Sequence, residues 1–138
     1  MRASRFPREY RVFNLDTNEM LYSEELNRRG FSLSADGLPV CAKENLLNVI
    51  VNWFTGRFDD HGRKLYEGDV CKVEIPNEYG SVSIDYGMMA WNDALQQFLL
   101  AIPSVQGGVA VHIKNTTLVG NELENQELVP LLRNETNG

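Results

Sequence analysis

Apolar and polar residues alternate along this chain in short bursts that turn-forming residues repeatedly interrupt. In "REYRVFNLDTNEMLYS", Tyr10, Val12, Met20 and Tyr22 stand at strand spacing on either side of "DTNE". Asp16, Thr17 and Asn18 there favour a turn by bonding their own backbone, so a β-hairpin is predicted. "FSLSADGLPVCAK" alternates Phe31 and Leu33 with serines, turns at Asp36-Gly37 and stays extended through Val40, a second hairpin. Between the two, Ser23, Glu24, Glu25 and Leu26, closed by Gly30, fit a single helical turn with the serine as its cap.

"NLLNVIVNWF" suits either a buried strand or a short helix, and its β-branched and aromatic residues favour the strand. From Leu65 the pattern sharpens. "KLYEGDVCKVEI" sets Val70, Val73 and Ile75 loosely around a Gly-Asp step, and "GSVSIDYG" turns Val82, Ile84 and Tyr86 one way, giving one buried and one wet face. "WNDALQQFLLAI" reads as a turn at Asn92-Asp93 into a strand, or as an Asn-capped helix. "VAVHIKNTTLVGN" is extended, with a turn at Asn115. In "NELENQELVPLL", Asn121 precedes Glu124 by three residues, a spacing at which each side chain satisfies the other's free amide, so a short helix ending near Pro130 is expected. Many short strands with close turns predict a mainly β barrel or half-barrel bearing one or two short helices. No repeat, low-complexity tract or linker interrupts it.

Composition narrows the classes. With 138 residues, 43% hydrophobic and 23% charged, the chain suits one domain with its own core. Its net charge is -6, yet the opening "MRASRFPREYR" carries Arg2, Arg5, Arg8 and Arg11 against Glu9 alone. The body is therefore strongly acidic, which disfavours generic nucleic-acid binding. The basic start reads as a solvated lead into the first strand rather than a nucleic-acid arm. Cys41 and Cys71 belong to no CxxC or Cys/His cluster, so two reduced, half-buried thiols are expected, with no zinc site. No apolar run has a membrane span's length and no h-region follows the first arginines, which points to the cytoplasm and away from membranes. The N-x-[ST] matches at Asn115 and Asn134 then carry no meaning.

Candidate chemistry gathers in one place, "FTGRFDDHGRKLYEGD", residues 54–69. Asp59, Asp60, His61, Glu67 and Asp69 invite a metal, but adjacent acids with an early glycine do not match a calcium loop, and a lone histidine at a turn is a poor start for zinc. Glu67 and Asp69, two apart, would share a face on a regular strand and pair for acid/base work. Gly68 breaks that regularity, and an acid after glycine commonly bonds nearby amides instead. Gly56, Gly62 and Gly68, like Gly107-Gly108, lack phosphate-loop spacing. His112, between Val111 and Ile113, reads as a strand residue on the polar face, so no nucleophile triad forms. Tyr10, Phe13, Trp53, Phe54, Trp91 and Phe98 lack a basic groove and read as core rather than a stacking platform. The stretch does suit a hairpin loop over Asp59 to Arg63, closed by Gly62 at positive φ, with Asp69 bonded to backbone.

The same residues carry a resemblance. "FTGRFDDHGRKLYEGDV" resembles the signature of the YopX family of phage and prophage proteins at Phe54, Thr55, Gly56, Asp59, Gly62, Tyr66, Glu67, Gly68 and Asp69, with Leu65 in an isoleucine place. "YRVFNLDTNEMLY" is similar to the family's opening hairpin and "VGNELENQELV" to its closing element. Arg57-Phe58 and the segment from Gly87 to Gly108 depart from the pattern. The resemblance implies a bacterial or phage cytoplasmic protein, mainly β, with an SH3-like half-barrel. It implies one domain over residues 1–138, with a hairpin subdomain at about 8–45 and a barrel-like part at about 46–130. It supplies no activity, catalytic residue, metal or cofactor. The expected function is that of a non-enzymatic accessory protein acting through protein contacts or self-association. The alternative is a nucleic-acid-binding β-barrel that uses the basic N-terminal arm.

Overall fold

The computed structural model describes residues 9–41, 46, 48–76, 78–103 and 115–132. The expectations for Arg2, Arg5, Arg8, Gly107-Gly108, His112, Asn134 and the extended stretch before Asn115 lie outside them. The fold is mainly β, as expected, and includes a curled half-barrel sheet. By its contacts the chain divides into two compact units, Met1–Phe54 and Thr55–Gly138.

The first unit holds β1 (Tyr10–Asn14), β2 (Glu19–Tyr22), helix α1 (Ser23–Arg28), β3 (Ser32–Leu33), β4 (Pro39–Val40) and the first half of β5 (Val49–Phe58). β1 runs between β2 and β5, antiparallel to both, and sets Val12 opposite Leu21 on one side and Val51 on the other. β3 and β4 form the second hairpin. "NLLNVIVNWF" is thus a strand from Val49 onward. The first turn forms where expected, but its acceptor is Asn14, whose Oδ1 takes the N–H groups of Asp16 (2.9 Å) and Thr17 (3.4 Å). Asn18 contributes by its φ of 61°.

Ser23 is not the helix cap. β2 runs straight into α1, so Tyr22 is the extended boundary residue and makes no side-chain cap bond. Ser23 is already helical, and its Oγ accepts the Tyr10 N–H instead (3.3 Å). The helix is also longer than a single turn, and Gly30 (φ 93°) provides the expected exit. Leu26 and Phe31 pack with Tyr10 and Val12 as the unit's core. Tyr10 and Trp53 meet with ring centroids 6.0 Å apart. The Tyr10 hydroxyl is buried there without a hydrogen-bond partner among the described residues, and burial pushes its pKa up.

The second unit continues β5 and adds β6 (Lys64–Tyr66), β7 (Asp69–Pro76), β8 (Val82–Asn92), β9 (Gln97–Ala101), β10 (Thr116–Asn121) and a 3-10 helix (Gln126–Leu132). One antiparallel sheet has the order β10-β7-β8-β9. Leu65, Cys71, Val73, Met89, Leu100 and Ile102 form its core. "WNDALQQFLLAI" resolves as a turn into a strand: Asn92 Oδ1 accepts the Leu95 N–H (2.9 Å) and Gln96 takes a φ of 55°.

β8 overturns one expectation about faces. Val82 and Ile84 are 53% and 49% exposed, whereas Met89, on the opposite parity, is fully buried. Pairing with β7 sets Gly87 opposite Cys71 and Asp85 opposite Val73, so the core-facing row reads Ser83, Asp85, Gly87, Met89. Alternation identified the two rows, but the row with less hydrophobic character is the inner one. The C-terminal element differs as well. Asn121 Oδ1 accepts the N–H groups of Leu123 (3.0 Å) and Glu124 (2.8 Å), and Glu124 returns the contact through the Asn121 side-chain amide (2.8 Å) rather than a backbone N–H. That polar turn precedes a 3-10 helix that runs through Pro130 to Leu132.

Candidate functional site

The stretch rich in acids is the β5–β6 hairpin and the turn into β7, and Thr55, Asp59 and Asp69 bond backbone with their side-chain oxygens. Thr55 Oγ1 donates to the Leu65 carbonyl (2.7 Å) and accepts the Arg57 N–H (3.2 Å). The loop from Asp59 to Arg63 closes with the Asp59 N–H on the Arg63 carbonyl (2.9 Å) and the Gly62 N–H on the Asp59 carbonyl (3.0 Å). Gly62 has a φ of 77°, the left-handed region that the loop requires and that a Cβ disfavours. Glu67-Gly68 makes the next turn, where Asp69 Oδ2 accepts the Tyr66 N–H (2.6 Å). Glu67 and Asp69 therefore straddle a turn and do not pair on one strand.

Asp59 is the hub. Its Oδ1 accepts the N–H groups of His61 and Arg63, both at 2.9 Å. Its Oδ2 accepts Arg63 Nε (2.9 Å), pairs with Arg63 Nη2 (2.8 Å) and accepts the Leu118 N–H of β10 (3.0 Å). Arg63 Nη2 also donates to the Leu118 carbonyl (3.0 Å), and the Asp60 N–H to the Thr116 carbonyl (2.8 Å). The hairpin is thereby clamped onto β10. The following turn is fixed in the same way, by Gly68 N–H on Met89 and Glu122 N–H on Gly68 (2.9 and 3.1 Å). Burial pushes the Asp59 carboxyl up, but the bonds from Leu118, Arg63 and His61 outweigh it and set its pKa at about 2.

Of the charged and titratable residues of this stretch, Asp60 and His61 are exposed, whereas Asp59 and Asp69 are buried. The reason is the amides they serve: a carboxylate surrounded by N–H donors tolerates removal from water. The five residues do not converge on a ligand. Among the described residues no group of three or more His, Cys, Asp or Glu is placed to hold a metal. Arg63 and the Leu118 backbone are the participants that sequence reasoning did not single out. The spacing of Asp59 and Arg63 across a tight loop was the available signal for the first, and nothing local pointed to the second.

Cys71 is fully buried rather than half-buried, because it faces the core from the middle of β7. Burial, with the negative charges of Asp69 and Asp59 nearby, pushes its thiol up to about 12, so it is a poor nucleophile. A thiol reagent at about pH 8 should modify Cys41 in the native protein and reach Cys71 only in denaturant. Rapid native modification of both thiols would contradict this packing. Arg11, the one described arginine of the basic opening, is 2% exposed and donates from Nε to Asn52 Oδ1 (3.1 Å). It is a structural residue, not part of a solvent-reaching arm.

The sequence profile of the family described as "YopX protein" matches residues 9–130. No curated protein matches the chain. Among solved structures, the crystal structure of protein EF1440 from Enterococcus faecalis is similar, with a TM-score of 0.55. The match has 17% sequence identity and covers 88% of this chain and 96% of that one. At that identity the likeness shows the fold.

Proposed function

Starting from the fact that this chain belongs to the YopX protein family, we propose that it is a non-enzymatic accessory protein of phage or prophage origin. In this reading it works in the cytoplasm of a bacterial host through protein contacts or self-association, on an SH3-like half-barrel. The observation that carries the reading is the saturation of the family signature. Both Asp59 oxygens are occupied by N–H donors, and Asp69 is bonded to the Tyr66 amide, so these two signature acids serve the scaffold. What the scaffold leaves for function is surface: among the described residues β2 and β9 are outer strands of their sheets, and outer strands offer backbone groups that another chain can extend.

Sedimentation velocity over a wide protein range tests self-association, and reconstitution with a purified partner tests heterologous contacts. Concentration-dependent mass or a defined stoichiometric complex supports the reading. A persistent monomer that forms no complex counts against it. The nucleic-acid reading is weakened by the buried Arg11, and it requires binding that falls steeply with salt.

A further inference from the structure

The outer face of the β7–β8 pair has a pattern that complements itself. Lys72, Glu74 and Pro76 on β7 stand opposite Tyr86, Ile84 and Val82 on β8. Alternate side chains share a face, so these six project away from the core row of Cys71, Val73 and Met89. Val82 and Ile84 are about half exposed, Pro76 is exposed, and the other three are half-buried. Toward the opposite end of the same face the surface is already covered. Val70 is fully buried there, Leu99 is 5% exposed, and the 3-10 helix packs against β8 and β10. What stays open is an apolar row on β8 beside one base and one acid on β7. Among the described residues neither Lys72 nor Glu74 has an ion-pair partner.

The geometry points to a second copy of this chain as the occupant of this face, packed sheet on sheet about a twofold axis that crosses the strands above Val73 and Asp85. This rests on the proposed role in self-association and names the surface that performs it. An axis in that position exchanges the strand levels of Lys72 and Glu74, so Lys72 of each copy faces Glu74 of the other. It likewise sets Ile84 of each copy over Tyr86 of the other, because those residues are their β8 neighbours. One interface thus gains two ion pairs and two apolar contacts from a single patch, which is what an isologous dimer requires. The patch supplies its own complement, so a second copy satisfies both charges without any other chemistry. The net charge of -6 opposes association only weakly at physiological ionic strength, where screening acts within about 8 Å.

Sedimentation equilibrium at about 0.15 M salt is run on the full chain and on four variants: Ile84→Glu, Lys72→Glu, Glu74→Lys and the double reversal Lys72→Glu/Glu74→Lys. Melting temperature is measured for each. The wild type is expected to dimerise, and Ile84→Glu and each single reversal to weaken the dimer more than about tenfold. The double reversal should restore it, and an equimolar mixture of the Lys72→Glu and Glu74→Lys proteins should form a heterodimer. The mixture keeps the test informative if Ile84→Glu does not fold. A wild-type dimer indifferent to all four variants overturns this face while leaving self-association intact. A wild-type monomer overturns both. A monomer whose melting temperature falls with Ile84→Glu would show the face covered from within the chain, which also overturns the proposal. Loss of the dimer with Ile84→Glu but no response to charge reversal overturns the twofold arrangement.

Discussion

Asp59→Ala is expected to cost about 3 kcal/mol of folding stability, because it strands several part-buried donors at once and removes the counter-charge of a half-exposed Arg63. For a chain of this size that is a fall of roughly 10 °C in melting temperature. The His61, Arg63 and Leu118 N–H groups all lose their acceptor, and water does not replace it at a carboxylate site with no side-chain exposure. Asp60→Ala, one residue along but exposed, should change stability by less than about 0.5 kcal/mol. Equal effects of the two substitutions would show that the clamp onto β10 does not hold the fold. The comparison isolates the clamp from the general loss of an acid in an acidic protein.

The same residue sets a pH dependence whose direction follows from its shift. Its folded pKa of about 2 lies below the ordinary 3.8, so the folded state binds the proton less readily than the unfolded chain. The stabilisation is complete above the unfolded value and is lost as pH falls through the folded one. Asp59→Asn keeps the shape but turns a donor toward other donors, and it cannot titrate. The stability gap between wild type and Asp59→Asn in urea titrations should therefore be constant at neutral pH and narrow between pH 3.8 and about 2. A gap of constant width down to pH 2 would mean that the carboxylate charge contributes nothing.

These expectations show which parts of the molecule local chemistry reveals. The hairpins, the positive φ of Gly62 and the backbone bond of Asp69 were readable because turn residues act within three or four positions of themselves. The service Asp59 gives to Leu118 was not, since its donor lies 59 residues away and is a backbone group that any residue would supply. Ser23 misled for a related reason: its hydroxyl suits a cap, but the absence of a linker after β2 moved the helix boundary one residue earlier. On β8 the inner row carries Gly87 because the core leaves no room for a side chain at that position. Leu100, Ile102 and the Ala101 carbonyl crowd the space above it. Alternation reports parity, and parity alone cannot say which side the core is on. The exposed row is consequently the part of the sequence that folding does not explain.

Gly87→Ala is expected to cost about 3 kcal/mol, and its mechanism is overpacking. A Cβ at that position would lie 2.8 Å from Ile102 Cγ1, 2.9 Å from Leu100 Cγ and 2.9 Å from the Ala101 carbonyl oxygen. The two side chains could move at some cost to the core. The carbonyl belongs to the end of β9, which pairs with β8 through Met88 and Ala101, so relieving it means disturbing the ladder itself. Gly62→Ala offers the contrast, since a Cβ there meets nothing within 4 Å and the obstacle is only the φ of 77°. It should cost about 1 kcal/mol. Asparagine separates the two causes, because it tolerates left-handed backbone while being larger than alanine. Gly62→Asn should recover most of the loss seen with Gly62→Ala, whereas Gly87→Asn should be worse than Gly87→Ala. Denaturant midpoints for the four variants decide it: if asparagine helps or harms both positions alike, the distinction between crowding and backbone conformation is wrong.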